Sequence, residues 1–295
     1  MMTSHNGHAG PAQGPSLSIA ELVELTYAGR WSGQASEETS LSNGRDIARE
    51  LGEERGVRSL RQGDVDRLRG GLRRRGLTPG TINRKLAALS AMLRTARAHG
   101  VSLPALDVRR ERDGQGRIRT LSEAEEALLL AAFRELKLRE RPADAIEAER
   151  LVRFLLAVGC RVSEALGASW RNVDVRDGRQ WLQLAETKNG TARTLPLPRG
   201  ASEVLLRRGD GPDEPLFAVS YKRFHYLFER ARERAGIEDS TLVPHCLRHT
   251  CLTRLVRRGV EVARVQRWAG HRRIETTMLY VHLTGHDLET IADLD

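Results

Sequence analysis

A mainly α-helical chain of two domains, the second carrying a small antiparallel β-sheet, is the fold this sequence predicts, on three observations. Apolar residues recur at helical spacing over most of the chain. Two turn signals, Asp177-Gly178 and Asn189-Gly190, sit between strand-like segments. A stretch without periodicity, ending in RRERDGQGRIR at Arg119, separates the two halves. At 295 residues the chain is long enough for two cores of ordinary size.

Taken in order, residues 1–16 are rich in Gly, Pro, Ser and His and bury too little apolar surface to order themselves, so a flexible tail is expected. Residues 17–100 are expected to form a helical bundle. Its clearest helix is TPGTINRKLAALSAMLRTARAHG, where Ile82, Leu86, Leu89, Leu93 and Ala96 make a core stripe. Asn83, Ser90, Arg94 and Arg97 fall on a separate polar face. No acidic residue occurs between Asp66 and Asp107, whereas Arg67, Arg69, Arg73, Arg74, Arg75, Arg84, Lys85, Arg94 and Arg97 all do. A merely solvated face interleaves both signs, so this patch is expected to bind phosphates, with Asn83, Arg84, Lys85, Arg94 and Arg97 as the DNA-contacting set.

Residues 101–119 are expected to be a linker, followed by a second domain over 120–295. Its first helix, in LSEAEEALLLAAF, has Ser122 and Glu125 as a capping box and Leu128, Leu129, Ala132 and Phe133 as a buried stripe. Helices around residues 144–168 break at VGCR, where Gly159 permits a tight turn. The segments DVRDGRQWLQL and ETKNGTARTLPLP supply the sheet, and the chain after Pro198 is expected to be helical to its end. The final HDLETIADLD is expected to be a helix presenting Leu288, Ile291 and Leu294.

A net charge of +9 favours an anionic partner. The three cysteines, Cys160, Cys246 and Cys251, lack CxxC pairing, which argues against a disulfide framework and for a reducing compartment. No apolar run approaches membrane-spanning length and the N-terminus has no signal-like core, so a cytoplasmic protein is expected.

Six of the nine histidines lie from His225 onward, yet zinc is disfavoured: His245 and His249 form a single HxxxH with an arginine between them, and no CxxC completes a set. No metal or other cofactor is expected. No GxSxG occurs, and a helical HCLRHT turns Cys246 away from His245 and Arg248. The same helix places His245, Arg248 and His249 on one face. A buried histidine beside a solvated arginine explains that stretch equally well on its own. Elsewhere, GCRVSEAL puts Arg161 at a helix start with Glu164 one turn on. AGHRRIETTMLYVH puts His271 beyond a glycine stop and Tyr280 nine residues later, and Lys188 adjoins the Asn-Gly turn. Two arginines, a lysine, two histidines and a tyrosine are the set that metal-free phosphoryl transfer requires. Guanidinium forks hold non-bridging phosphate oxygens, imidazole moves protons near neutral pH, and an ammonium protonates a leaving alkoxide.

GCRVSEALGASWRNVDV, TKNGTARTLPL, HCLRHTCLT and AGHRRIETTMLYVH, in this order and spacing, resemble the tyrosine recombinases of the phage integrase family. The resemblance runs from about residue 17 to the end. It implies a helical core-binding domain followed by an α+β catalytic domain, and a site-specific recombinase that cleaves and rejoins DNA through a 3′-phosphotyrosyl bond. By position it implies that Arg161 and Arg248 clamp the scissile phosphate, Lys188 is the general acid, and His245 and His271 assist proton transfer and hold the phosphate. Tyr280 is the implied nucleophile and Glu164 the acid that positions Arg161. His249 is expected to be a packing residue or to stand behind the contacting groups. Double-stranded DNA and other protomers, four on two DNA sites with a C-terminal helix passed to a neighbour, are the implied partners. Size and plan are similar to the Xer recombinases and simpler mobile-element integrases, the short tail leaving no room for an arm-site domain. A DNA-binding regulator without catalysis and a type IB topoisomerase are the alternatives.

Overall fold

The computed structural model describes residues 17–34, 36–112, 118–185, 192–205 and 211–281. The chain divides into two compact units, Met1–Gly116 and Arg117–Asp295.

In the first unit, Ser18 opens α1 (Ile19–Thr26) as a capping box. Its hydroxyl accepts from the Glu21 N–H while the Glu21 carboxylate accepts from the Ser18 N–H at 2.8 Å. A wider turn over Tyr27–Trp31 leads into α2 (Glu37–Leu51), whose Gly44 lies under the Trp31 indole. A Cβ at Gly44 would stand 2.8 Å from that ring, so only glycine lets the two approach. Then follow α3 (Gln62–Arg74) and α4 (Pro79–Ala98), the latter capped by Thr78 with Pro79 in its first turn. The expected stripe of Ile82, Leu86, Leu89, Leu93 and Ala96 is buried, together with Ile19, Leu22, Ile47 and Leu72.

The patch of arginines is less free than its sequence implies. Arg69 pairs with Asp66, Arg73 with Glu111, Arg75 with Glu50, and Arg67 with Asp64. Folding brings in carboxylates from outside the acid-free window. Two members of the expected DNA-contacting set are engaged within the fold. Lys85 is buried and ion-paired with Asp46. The Asn83 amide is engaged by the backbone of Glu111, donating to its carbonyl (3.1 Å) and accepting from its N–H (2.7 Å). Arg84, Arg94 and Arg97 remain exposed. The bonds to Glu111 also bear on the expected linker. Its described part, to Arg112, is extended and tied down, with Leu103, Leu106 and Val108 on the core and the Asp107 N–H donating to Gln62.

The second unit is built round α6 (Pro142–Val158), which contacts α5 (Glu123–Leu136), α8 (Arg199–Val204), α9 (Tyr221–Arg234) and α10 (His245–Arg257). Its centre holds Phe133, Phe154, Phe217, Phe224 and Phe228, each worth roughly 1.5–3 kcal/mol on burial. The Ser122 and Glu125 capping box opens α5 as expected. Leu128 does not belong to the buried stripe: it is 51% exposed, because the inward face centres on Leu129, Ala132, Phe133 and Leu136. The short helix α7 (Val162–Leu166) precedes a three-stranded antiparallel sheet, β1 (Val173–Arg176), β2 (Arg179–Leu184) and β3 (Arg193–Pro196), in that order. Asp177 and Gly178 both take positive φ, 48° and 73°, the two-residue hairpin turn their types predict. Non-helical chain at 211–220 and 235–244 interrupts the expected run of helices, and α11 (Val262–Ala269) and α12 (Glu275–Val281) complete the unit. The helix expected in HDLETIADLD and the Asn189-Gly190 turn lie outside the described residues. Among the described residues no helix is long and apolar enough to cross a membrane.

Gly159 ends α6 in the left-handed conformation (φ 68°), and a Cβ there would stand 2.9 Å from the Cys251 Sγ. Gly159→Ala therefore combines an unfavourable backbone with overpacking and is expected to cost at least about 2 kcal/mol in urea unfolding. An unchanged midpoint and slope would contradict this account of the turn.

Candidate active site

The turn at Gly159 delivers Arg161 to the start of α7, where the Glu164 carboxylate accepts from the Arg161 N–H (2.8 Å) and from its Nη1 (2.7 Å). The same carboxylate accepts from both terminal nitrogens of Arg193 on β3, at 3.2 and 2.9 Å. Burial alone would push the Glu164 carboxyl up. The hydrogen bonds from Arg193 and from the Arg161 backbone, with both positive charges, outweigh it and hold the group at about 2. Sequence reasoning passed over Arg193. A signal was there: the two-residue strand period puts it on the inward face with Leu195, and an inward cation needs a buried partner. The Arg193 Nε also donates to the Trp268 carbonyl at the end of α11 (2.8 Å). A Cβ on Gly270 would stand 2.7 Å from the same guanidinium, so the chain turns there on a glycine at φ 68°.

On α10, His245, Arg248 and His249 share a face as their spacing requires. Arg248 is 2% exposed and donates to the carbonyls of Gly159 (2.8 Å) and Ala269 (2.7 Å) and to His271 Nε2 (2.9 Å). Since a guanidinium only donates, His271 Nε2 carries the lone pair, and Nδ1–H is left to donate to Thr277 Oγ1 at 2.9 Å. Both nitrogens of His271 are thus engaged in holding Arg248 and α12. Cys246 is buried elsewhere, its Sγ against the Thr241 carbonyl, as a small core residue. Tyr221 and Tyr226 stand exposed on α9.

Tyr280, on α12, is 2% exposed, its ring parallel to that of His271 (centroids 6.1 Å apart, planes 3° apart). Its hydroxyl meets His249 Nδ1 at 2.9 Å. Of the two roles expected for His249, packing or a place behind the contacting groups, this contact fits the second: the i, i+4 step that sets it beside His245 also aims it at the tyrosine. Burial raises the phenol pKa, and the neighbouring Arg248 and Arg161 partly offset this. Lys188 lies outside the described residues.

Arg161 and Arg193 pair with the single negative charge of Glu164, and Arg248 adds a third positive charge within its electrostatic reach, leaving the site cationic. The imidazoles stay neutral in that setting. Desolvation, then the charges of Arg248 and Arg161, push His245 down; His249 is lowered to about 4 and His271 to about 3, mainly by burial. Such a site holds an oxyanion and presents a phenol to it. These shifts also govern acid stability. Unfolded histidines take up protons near 6.5, before the folded ones do, so stability is full above that pH and falls as pH drops towards 4. The Glu164 shift adds a second loss between about 4.5 and 2. His271→Gln is expected to flatten the first limb by up to about 1.4 kcal/mol per pH unit in denaturant titrations. An unchanged slope would contradict a neutral His271.

A family model described as the phage integrase family matches residues 119–286, more than half of the chain. The chain is 32% identical over 141 residues to the tyrosine recombinase XerA of Saccharolobus solfataricus, a match that covers 47% of this chain and only 46% of XerA. Over 293 residues it is 28% identical to the tyrosine recombinase XerD of Brucella suis, covering 91% of this chain and 93% of that protein. Among solved structures, the Tn1549 transposon integrase in complex with circular intermediate DNA superposes with a TM-score of 0.72 at 19% identity, covering 95% of this chain and all (100%) of that one. With four separated motifs converging on one cationic site and the family model spanning it, the chain belongs to the phage integrase family.

Proposed function

We propose that this protein is a site-specific DNA recombinase that cuts and rejoins strands through a phosphotyrosyl intermediate. The observation that carries the reading is the placement of the Tyr280 hydroxyl beside His249, in a cage whose guanidiniums outnumber its carboxylate. A phosphodiester entering that cage meets Arg248 and Arg161, which stabilise the charge that builds on its non-bridging oxygens as phosphorus becomes five-coordinate. Tyr280 attacks phosphorus, and the 5′ oxygen leaves with a proton from Lys188. Glu164 holds Arg161, His271 holds Arg248, and His245, which is solvent-accessible, contributes to gripping the phosphate. The phosphotyrosyl bond keeps the energy of the broken ester, so a 5′ hydroxyl of another strand reverses the step without nucleotide hydrolysis.

One phenol forms one covalent bond, and exchange between two duplexes breaks four strands. Other copies of the chain are therefore the second partner, alongside double-stranded DNA, in the cytoplasm where such DNA is found. The Tn1549 integrase complex with DNA and the similarity to named tyrosine recombinases support both the substrate and the chemistry. Arg84, Arg94 and Arg97 are the exposed α4 cations left to meet backbone phosphates.

Two experiments test this. On a nicked duplex that traps the covalent step, the wild type is expected to give a protein–DNA adduct without magnesium and Tyr280→Phe none; an adduct with Tyr280→Phe would move the nucleophile elsewhere. Replacing Arg94 and Arg97 together by alanine is expected to lower the slope of log affinity against log salt by about 2, roughly 0.9 per phosphate contact. An unchanged slope would remove α4 from the interface.

A further inference from the structure

Two imidazoles, His249 and His271, stand against the Tyr280 ring and a third, His245, stands beside His249, and their contacts distinguish them. His271 is fully engaged, its Nε2 accepting from Arg248 and its Nδ1 donating to Thr277, and its ring lies parallel to the tyrosine rather than in line with the hydroxyl. His245 stands edge-on to His249 with ring centroids 4.6 Å apart. The structure places His249 in direct contact with the reacting oxygen, Nδ1 to Oη 2.9 Å. The positive charge of Arg248 also acts on that oxygen and lowers the phenol pKa against the effect of burial. A neutral imidazole offers one ring nitrogen as an acceptor, and with Nδ1 as that acceptor the phenol proton points to it.

We infer that His249 is the catalytic base that takes the proton from Tyr280 in the cleavage step and returns it on rejoining. This rests on the recombinase reading above. In the step, the Tyr280 O–H bond breaks and its proton moves to His249 Nδ1, giving an imidazolium. The phenolate oxygen bonds to phosphorus, the bond from phosphorus to the 5′ oxygen breaks, and that oxygen takes a proton from Lys188. Rejoining runs each transfer backwards: the incoming 5′ hydroxyl gives its proton to Lys188, and the departing phenolate recovers its own from His249.

Electrostatics suit this division. Burial, then His245 and Arg248, keep His249 neutral, so its lone pair is available at neutral pH; His271 on the neighbouring turn adds no charge while it too is neutral. In the empty cage the imidazolium is unfavourable and the proton stays on the phenol. A phosphate anion beside Arg248 offsets the surrounding positive charge and raises the basicity of His249 as substrate arrives. Proton removal is then coupled to occupancy of the site.

The test is single-turnover cleavage with His249→Ala and His249→Asn, the latter keeping a polar side chain should alanine lower the melting temperature. DNA binding in gel shifts and thermal melting serve as controls of fold. The variants are expected to cleave about 100-fold more slowly or worse while binding DNA as the wild type does. Fluorinated tyrosine at position 280, whose phenol ionises more readily, is expected to shrink the loss to about tenfold or less, since a weaker demand for a base remains. A substrate with sulfur replacing the bridging 5′ oxygen needs no acid at the leaving group and is expected to give no such rescue. Unimpaired cleavage, a loss unaltered by fluorotyrosine, or rescue by the sulfur substrate would each overturn the assignment of the base. An adduct formed by Tyr280→Phe would overturn the recombinase reading instead.

Discussion

The buried guanidinium of Arg248 is the constraint on which the rest of this site depends. A cation with 2% exposure has lost nearly all its water and must be repaid in hydrogen bonds. The carbonyls of Gly159 and Ala269 supply two, and His271 a third. Each acceptor belongs to a different part of the second unit: the end of α6, the end of α11 and the turn before α12. Satisfying one side chain thus fixes the mutual placement of three chain segments, and Tyr280 follows three residues after Thr277, whose hydroxyl meets His271 Nδ1. No carboxylate takes part in those three bonds, so the charge is left to attract an external anion.

Glu164 does for the other wall what those acceptors do for Arg248. Shared between Arg161 and Arg193, it joins α7 to β3, and through the Arg193 bond to the Trp268 carbonyl it reaches α11. One buried carboxylate between two guanidiniums stays ionised, yet it is too little to neutralise the cage once Arg248 is counted. Stability and function therefore pull against each other here. The structure keeps enough negative charge to orient the arginines and leaves a surplus of positive charge, which the proposed function assigns to a phosphodiester. The glycines at 159 and 270 serve the same end, each adopting a positive φ where a side chain would collide with a neighbour of the cage.

Much of this was legible in the residues themselves. Helical periodicity and turn chemistry gave the architecture, since Asp177-Gly178 and Gly159 take the backbone conformations that their types favour. The spacing of His245, Arg248 and His249 predicted their common face, because i, i+3 and i+4 neighbours converge on any α-helix. What sequence could not supply was the pairing of residues far apart in the chain. Lys85 and Asn83 look available on a helical wheel, but Asp46 and the Glu111 backbone occupy them. His249 looks like packing until α12 brings Tyr280 against it. Arg193 gave a local signal, a cation on an inward strand face, whose meaning lay in Glu164 on another element. Leu128 was misplaced for a smaller reason, the roughly 100° that separates consecutive residues on a helix.

The central claim is that the phenol oxygen of Tyr280 and a phosphate gripped by Arg248 and Arg161 share one site. It is tested most directly by digesting the trapped protein–DNA adduct and finding, by mass spectrometry, which peptide carries the nucleotide. The account predicts the added mass on the peptide that follows Arg273 and contains Tyr280. Nucleotide on a peptide holding Tyr27, Tyr221 or Tyr226, or on a serine or cysteine, would contradict it.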